Sequence, residues 1–378
     1  MSWTNMLQPP RHWLWRALCL LSLLFISSQG EPSLTVWSPQ PYSGEQTPLK
    51  PSIAETVNQK ISIPFSPLFV ARMTIGTPAQ EIDVTLDLSW SDLFVPSKQC
   101  DRCIRHHKFN YAKSTTYWDL SKEGRLYYPP AAGAFKGTWA RDIVSLGTIQ
   151  AKQVEFLNFD RIEGDWIFYG GYDAVFGLSP FDPDDKQSLR NPLKALASSH
   201  ELEQNLFSLV PPTYEKDGEL LLGAIPEQYS NPSRPFTTMA INPISYQVGS
   251  WLANLRSVSF LDTKWQFEGK FIGLSTVFWP ILLPQEQYLM FHAAIRGYQC
   301  DKLDELPNIT IDIGGPRRLV LAASDYMWFS AGACFPYVYH IEGALGEGFE
   351  DVAVVLGRVF MKEWMGIFDF GNKEIRCK

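Results

Sequence analysis

Leu86-Asp87-Leu88-Ser89-Trp90-Ser91-Asp92-Leu93-Phe94-Val95-Pro96-Ser97 is the stretch on which the reading of this chain turns. Ahead of it, Ile82, Val84 and Leu86 alternate with polar residues, the period of a half-buried strand. The strand ends on an acid, Asp87. Further upstream, Phe69-Val70-Ala71-Arg72-Met73-Thr74-Ile75 runs into a turn at Gly76-Thr77-Pro78. Strand runs of hairpin length continue to about residue 223. Helical signals are few: Asn191-Pro192 caps a short helix through Leu196, and Pro284 starts another that runs through Phe291 and stops at Gly297. A weak internal repeat is present. Asp87 and then Ala174-Val175-Phe176-Gly177-Leu178 in the first half parallel Ser275 and then Val354-Val355-Leu356-Gly357 in the second.

The 378 residues carry a net charge of −7 and no Lys/Arg-rich run, which excludes nucleic acid as the expected partner. Near the N-terminus, Arg11 and Arg16 precede the apolar run of residues 17–26, and Ser28 and Gly30 are small. This predicts a signal peptide over residues 1–30; a membrane anchor is the alternative, with a run short for a span. No later stretch is apolar enough for a membrane span, so the expectation is a secreted chain or one in an endolysosomal lumen. Residues 31–65, rich in Pro, Ser and Gln, read as a leader or flexible arm. With Cys19 removed, Cys100, Cys103, Cys300, Cys334 and Cys377 remain, which predicts two disulfides and one leftover thiol.

Ile75-Gly76-Thr77-Pro78 followed by residues 86–97 resembles the start of the pepsin-type aspartic peptidase family, with its IGTP and D-T-G-S-S-N-L-W-V-P-S. The resemblance continues in family order through Tyr172-Asp173-Ala174-Val175-Phe176-Gly177-Leu178, Asn205-Leu206-Phe207-Ser208, Gly218-Glu219-Leu220-Leu221-Leu222-Gly223, Leu306-Pro307-Asn308-Ile309, Val355-Leu356-Gly357 and Phe368-Asp369. It implies a mainly β, bilobal fold with a central cleft, an N-terminal β lobe over residues 66–226 and a C-terminal β lobe over 227–378. It also implies the pairings Cys100–Cys103 and Cys300–Cys334, and leaves Cys377 available for a disulfide-linked dimer. No cofactor and no metal are expected.

The family hydrolyses amides with two carboxylates that share one proton, one from each D-T-G loop. Asp87 stands at the first position. Aligned on Pro284, the second loop is Ser275-Thr276-Val277-Phe278-Trp279, so a serine replaces the second acid. Leu88 cannot bond across to the other loop as the family's Thr does, whereas Thr276 retains that ability. Ser89 and Val277 add side chains where the family has Gly, and Trp90 and Phe278 replace the outer hydroxyls. The family's flap hairpin carries a Tyr over the cleft. Here Tyr128 fits with an insertion and Pro130 without one, and both assignments stay open. Residues 31–61 hold only Lys50 and Lys60 as bases, against the basic plug of a family zymogen.

Some features have two readings. Cys100-x-x-Cys103 with His106-His107 is a disulfide or a zinc set, the secreted context favouring the disulfide. Asn308-Ile309-Thr310 is a glycosylation sequon, used or unused. Trp90, Phe278 and Trp279 line a ligand groove or fill space left by the lost polar groups. The expectation is a secreted non-catalytic homologue that holds a peptide, protein or apolar ligand in its cleft. The alternative is a residual acid endopeptidase using Asp87 with a relocated carboxylate. Ser275 lacks an identifiable His or Lys partner for a nucleophilic role.

Overall fold

The computed structural model describes residues 59–63 and 69–378, except 132, 165–170, 182–189, 200–201, 214–215, 230–235, 331–332, 346–347 and 363. The signal peptide expected over residues 1–30 and most of the stretch expected as leader or flexible arm lie outside the described residues.

Two seven-stranded sheets form the two β lobes. The first has the order Val70–Ile75, Gln80–Asp87, Ala174–Gly177, Leu93–Pro96, Ile149–Glu163, Gly133–Leu146 and Trp118–Tyr128. Ile82, Val84 and Leu86 are buried along the strand whose alternation marked it. The second sheet runs Leu319–Leu321, Ile309–Asp312, Leu252–Phe260, Thr263–Leu274, Val352–Leu356, Ile281–Leu283 and Val338–His340. The expected helices are present as Pro192–Ser199 and Gln285–Ala294. Asn191 caps the first, its Oδ1 accepting from Lys194 N at 2.9 Å.

A six-stranded sheet joins the halves: Gln59–Ile63, Gly218–Leu222, Leu206–Val210, Gly366–Asp369, Glu374–Cys377 and Thr237–Ala240. It draws strands from both sides of residue 226. Its first strand falls within the stretch read as a leader or flexible arm: Gln59–Ile63 pairs antiparallel along its whole length with Gly218–Leu222, so these five residues are no flexible arm. Behind this sheet Trp251 is fully buried, 5.8 Å from Phe207 and 5.1 Å from Phe368. Its Nε1 donates to Leu178 O at 2.6 Å, which ties the second half of the chain to the end of the Ala174–Gly177 strand.

Cys100–Cys103 and Cys300–Cys334 are disulfide-bonded. Cys377 is unpaired and 1% exposed, held between Gly366 and Thr237 in the six-stranded sheet. Burial pushes its thiol up to about 12. This corrects the dimer expectation, since a sulfur enclosed on a paired strand offers a second chain no approach. The native protein should therefore leave one thiol inert to a water-soluble disulfide reagent and run as a monomer on non-reducing gels. In denaturant that thiol should react at once. Among the described residues no helix is long and apolar enough to cross a membrane.

Candidate active site

The repeat suspected in the sequence is a repeat of topology. In the first lobe, Gln80–Asp87 pairs parallel with Ala174–Gly177, which pairs antiparallel with Leu93–Pro96. In the second, Thr263–Leu274 pairs parallel with Val352–Leu356, which pairs antiparallel with Ile281–Leu283. Each parallel pair ends in a loop at the centre of the molecule. Asp87 lies opposite Gly177, and Leu178 N donates to Asp87 O at 2.7 Å. Ser275 N donates to Leu356 O at 3.0 Å, one residue before Gly357. A glycine underlies each loop because backbone passes directly over it. A Cβ on Gly177 would stand 2.5 Å from Trp90 O, and one on Gly357 would stand 2.6 Å from Phe278 O and closer still to Pro280 O.

The two loops hold each other through one arm. Thr276 Oγ1 donates to Leu86 O at 2.5 Å and accepts from Leu88 N at 3.2 Å. The reciprocal arm is an apolar side chain, Leu88, buried in the core.

Asp87 is fully buried, and its own chain engages both carboxylate oxygens. Oδ1 accepts from Ser89 N at 2.8 Å and from Ser89 Oγ at 2.7 Å. Oδ2 accepts from Tyr128 Oη at 2.7 Å. Burial raises the pKa of Asp87, outweighing the hydrogen bonds from Ser89 and Tyr128 that lower it. Tyr128 is itself fully buried, and its hydroxyl is driven well above its ordinary pKa by burial and then by the Asp87 charge, so it stays a donor. Tyr128, rather than Pro130, is thus the hairpin residue that reaches the loop. It comes from the last position of Trp118–Tyr128 and packs edge-on against Trp90 at 5.3 Å and against Phe94 at 5.3 Å. Trp90 occupies an outer-hydroxyl position and serves as packing for this tyrosine.

Ser275 is fully buried too. Its Oγ lies 3.2 Å from Ser89 Oγ and accepts from Val277 N at 3.3 Å and Phe278 N at 3.2 Å. Ser89 therefore links Asp87 to Ser275 by hydroxyl contacts, in the space a second carboxylate would share with the first. Neither His nor Lys is among the hydrogen-bond partners of Ser275. Beside it lies an apolar cavity of about 20 Å³, bordered by Leu252, Phe278, Phe349 and Val355, which is room for a single water. Among the described residues, no carboxylate bonds to Asp87.

The zinc reading of Cys100 and Cys103 fails because both sulfurs are in the disulfide. The two histidines turn instead to one acid, His106 Nδ1 at 3.6 Å from Asp173 Oδ1 and His107 Nδ1 at 2.9 Å from Oδ2. Asp173 also accepts from Asp83 N at 2.9 Å, so it ties the disulfide loop to the strand that ends at Asp87. Asp83, His107 and Asp173 bring ligand atoms within 4.8 Å of one another, but Arg72 already neutralises Asp83 with Nε–Oδ1 at 2.5 Å and Nη2–Oδ2 at 3.2 Å. Asn308 is exposed, immediately ahead of the strand Ile309–Asp312.

Sequence reasoning missed three features of this site: the bridge from Ser89 to Ser275, the anchoring of both histidines on Asp173, and Arg358. Arg358 is buried beside the Ser275 loop, its guanidinium 3.9 Å from the centre of the Trp279 ring. A charged residue directly after Val354-Val355-Leu356-Gly357 was the available signal.

Comparison with known proteins agrees with this architecture. The family model described as eukaryotic aspartyl protease matches residues 68–377. Pepsin A of Gallus gallus is 27% identical over 335 residues, covering 81% of this chain and 83% of its own length. Chymosin of Camelus dromedarius is 25% identical over 86% of this chain and 84% of its own length. Vacuolar protease A of Aspergillus fumigatus is 22% identical over 81% and 77%. With two topologically repeated loops meeting at Asp87 and Ser275, and a family match that spans both lobes, the chain belongs to the eukaryotic aspartyl protease family.

Proposed function

We propose that this chain is an exported, non-catalytic member of the family, working in the extracellular space or an endolysosomal lumen. Its role is to hold a peptide, a protein segment or an apolar ligand in the cleft between the lobes. One observation carries the reading: Asp87 is fully buried and bonded on both oxygens by Ser89 and Tyr128, and the other acid of its loop, Asp92, is paired with Arg190. An aspartic peptidase needs an ionised carboxylate to take a proton from water while a protonated partner donates to the substrate carbonyl. Here the partner position holds the Ser275 hydroxyl, which does not titrate in the working range. A glycan on Asn308 fits its exposure.

The test is cleavage. The secreted chain and its Asp87→Ala variant are incubated with denatured protein substrate between pH 3 and 6, with pepstatin as a control. The expected result is no product above background in either sample. Cleavage that is pepstatin-sensitive and vanishes in Asp87→Ala would overturn the reading and establish the residual endopeptidase instead.

A further inference from the structure

Arg358 is a buried cation with no acid paired to it among the described residues. It follows Gly357 at the end of Val352–Leu356, and its N–H donates to Phe278 O at 2.8 Å, which fixes its backbone to the Ser275 loop. The residue is 5% exposed. Nε and Nη1 are buried and have no hydrogen-bond partner among the described residues. Burial pulls its pKa down to about 9, and the groups that oppose this are the hydroxyls of Tyr172 and Tyr337 rather than a carboxylate. Tyr172 belongs to the first lobe, packed with the cluster around Trp90 and Tyr128, whereas Tyr337 and Trp279 belong to the second. The guanidinium therefore lies where the walls of the cleft face each other.

Physical chemistry makes this an odd residue to keep for packing alone. A stacked ring returns only part of the solvation a buried guanidinium loses, and an unbranched apolar side chain would fill the same space without that loss. Unmet charged N–H donors are what recognition of a carboxylate requires, each able to give one charge-assisted hydrogen bond. The neighbouring surface is aromatic. Trp279 and Trp328 are half-buried with ring centres 5.3 Å apart, and Phe335, paired with Trp328 across a short hairpin, is exposed. Lys362 adds a second positive charge, its Nζ 5.7 Å from the Trp328 ring centre.

We propose that Arg358 is the anchor for the ligand of the cleft, and that this ligand is an acidic peptide. One of its carboxylates, from a side chain or the C-terminus, accepts from the guanidinium, while apolar residues beside it rest on Trp279 and Trp328. The proposal rests on the cleft-binding reading and deepens it. Because both donors are buried, binding requires side chains around the guanidinium to move.

The experiment measures binding of three synthetic peptide mixtures to the whole secreted chain by fluorescence anisotropy. All are degenerate, apolar-rich octapeptides. One has a fixed central Glu and an amidated end, the second a central Gln and an amidated end, and the third a central Gln and a free C-terminal carboxylate. The same titrations are run on Arg358→Met, with a melting temperature for both proteins. The proposal expects at least one carboxylate-bearing mixture to bind about 10-fold or more tightly than the amidated Gln mixture. It expects that preference to vanish in Arg358→Met, while the melting temperature holds or rises by a few degrees. The Glu mixture and the free-terminus mixture tell the two carboxylate sources apart. Equal binding of all three mixtures overturns the role of Arg358 but leaves the peptide-binding reading standing. Failure of every mixture to bind overturns both. A marked fall in the melting temperature of Arg358→Met, with the carboxylate preference intact, shows a structural arginine and overturns the proposal.

Discussion

Ser275→Asp is expected to restore no peptidase activity and to destabilise the protein by about 3–5 kcal/mol at neutral pH, the range for an uncompensated buried charge. Ser275 is 0% exposed and sits between Ser89 Oγ and an apolar cavity of about 20 Å³. A carboxylate there is desolvated and faces a second buried acid, Asp87. The N–H groups of Val277 and Phe278 that now bond Ser275 offset part of this, but Ser89 Oγ already donates to Asp87. Both effects raise the pKa of the new acid in the folded state, and the pKa of Asp87 is already raised. The sign follows from linkage. Between the unfolded carboxylate pKa of about 4 and the higher folded value, the folded state binds more protons, so stability falls as pH rises. The variant should therefore be nearly as stable as the parent at pH 3 and much weaker at pH 7. Denaturant melts at the two pH values, with the cleavage assay on the same samples, check this. Equal stability at pH 7, or substantial turnover, would show that the surrounding residues still support an acid pair.

Gly177→Ala and Gly357→Ala should each cost about 4 kcal/mol or more, or prevent folding, because the added methyl meets backbone that cannot yield. Trp90 O stands 2.5 Å from the new Cβ in the first case, and Phe278 O 2.6 Å away in the second, with Pro280 O nearer still. Gly343→Ala serves as the control for lost glycine. It has open space around its Cβ position, so its cost is limited to the strain of a φ of 76°. Secreted yield and urea midpoints separate the three. A mild effect at Gly177 or Gly357 would mean that the loops above them are looser than the shared topology implies.

Much of the fold was legible because it is written locally. The alternation of Ile82, Val84 and Leu86, the turn at Gly76-Thr77-Pro78 and the Asn191 cap need no distant partner to be recognised. The strand Gln59–Ile63 was missed because five residues give Ile61 and Ile63 too short a period, and its partner Gly218–Leu222 is remote in the chain. Cys377 was expected to be available for a disulfide-linked dimer, but strands on both sides enclose it, and one of those partners, Thr237–Ala240, is remote in the chain. At the site, Asp87, Ser275 and Thr276 could be placed by motif. The Tyr128 contact depends on how the hairpin Trp118–Tyr128 and Gly133–Leu146 bends through its turn, which residue spacing does not specify. The Ser89 to Ser275 contact joins residues 186 apart, and nothing in either loop announces it. Arg358 escaped notice because a charge after an apolar strand is ordinarily a sign that the chain has reached solvent.

The central claim is that Asp87 stands alone, bonded by Ser89 and Tyr128 and sharing its proton with no second carboxylate. The pH titration of the Asp87 carboxyl carbon, followed by NMR in protein labelled at aspartate side chains and assigned with Asp87→Asn, tests it most directly. The account predicts a single step whose midpoint lies above the usual aspartate range, in the direction that burial drives it. A two-step curve that loses one step when another acid is replaced would contradict it, because that behaviour belongs to a coupled pair.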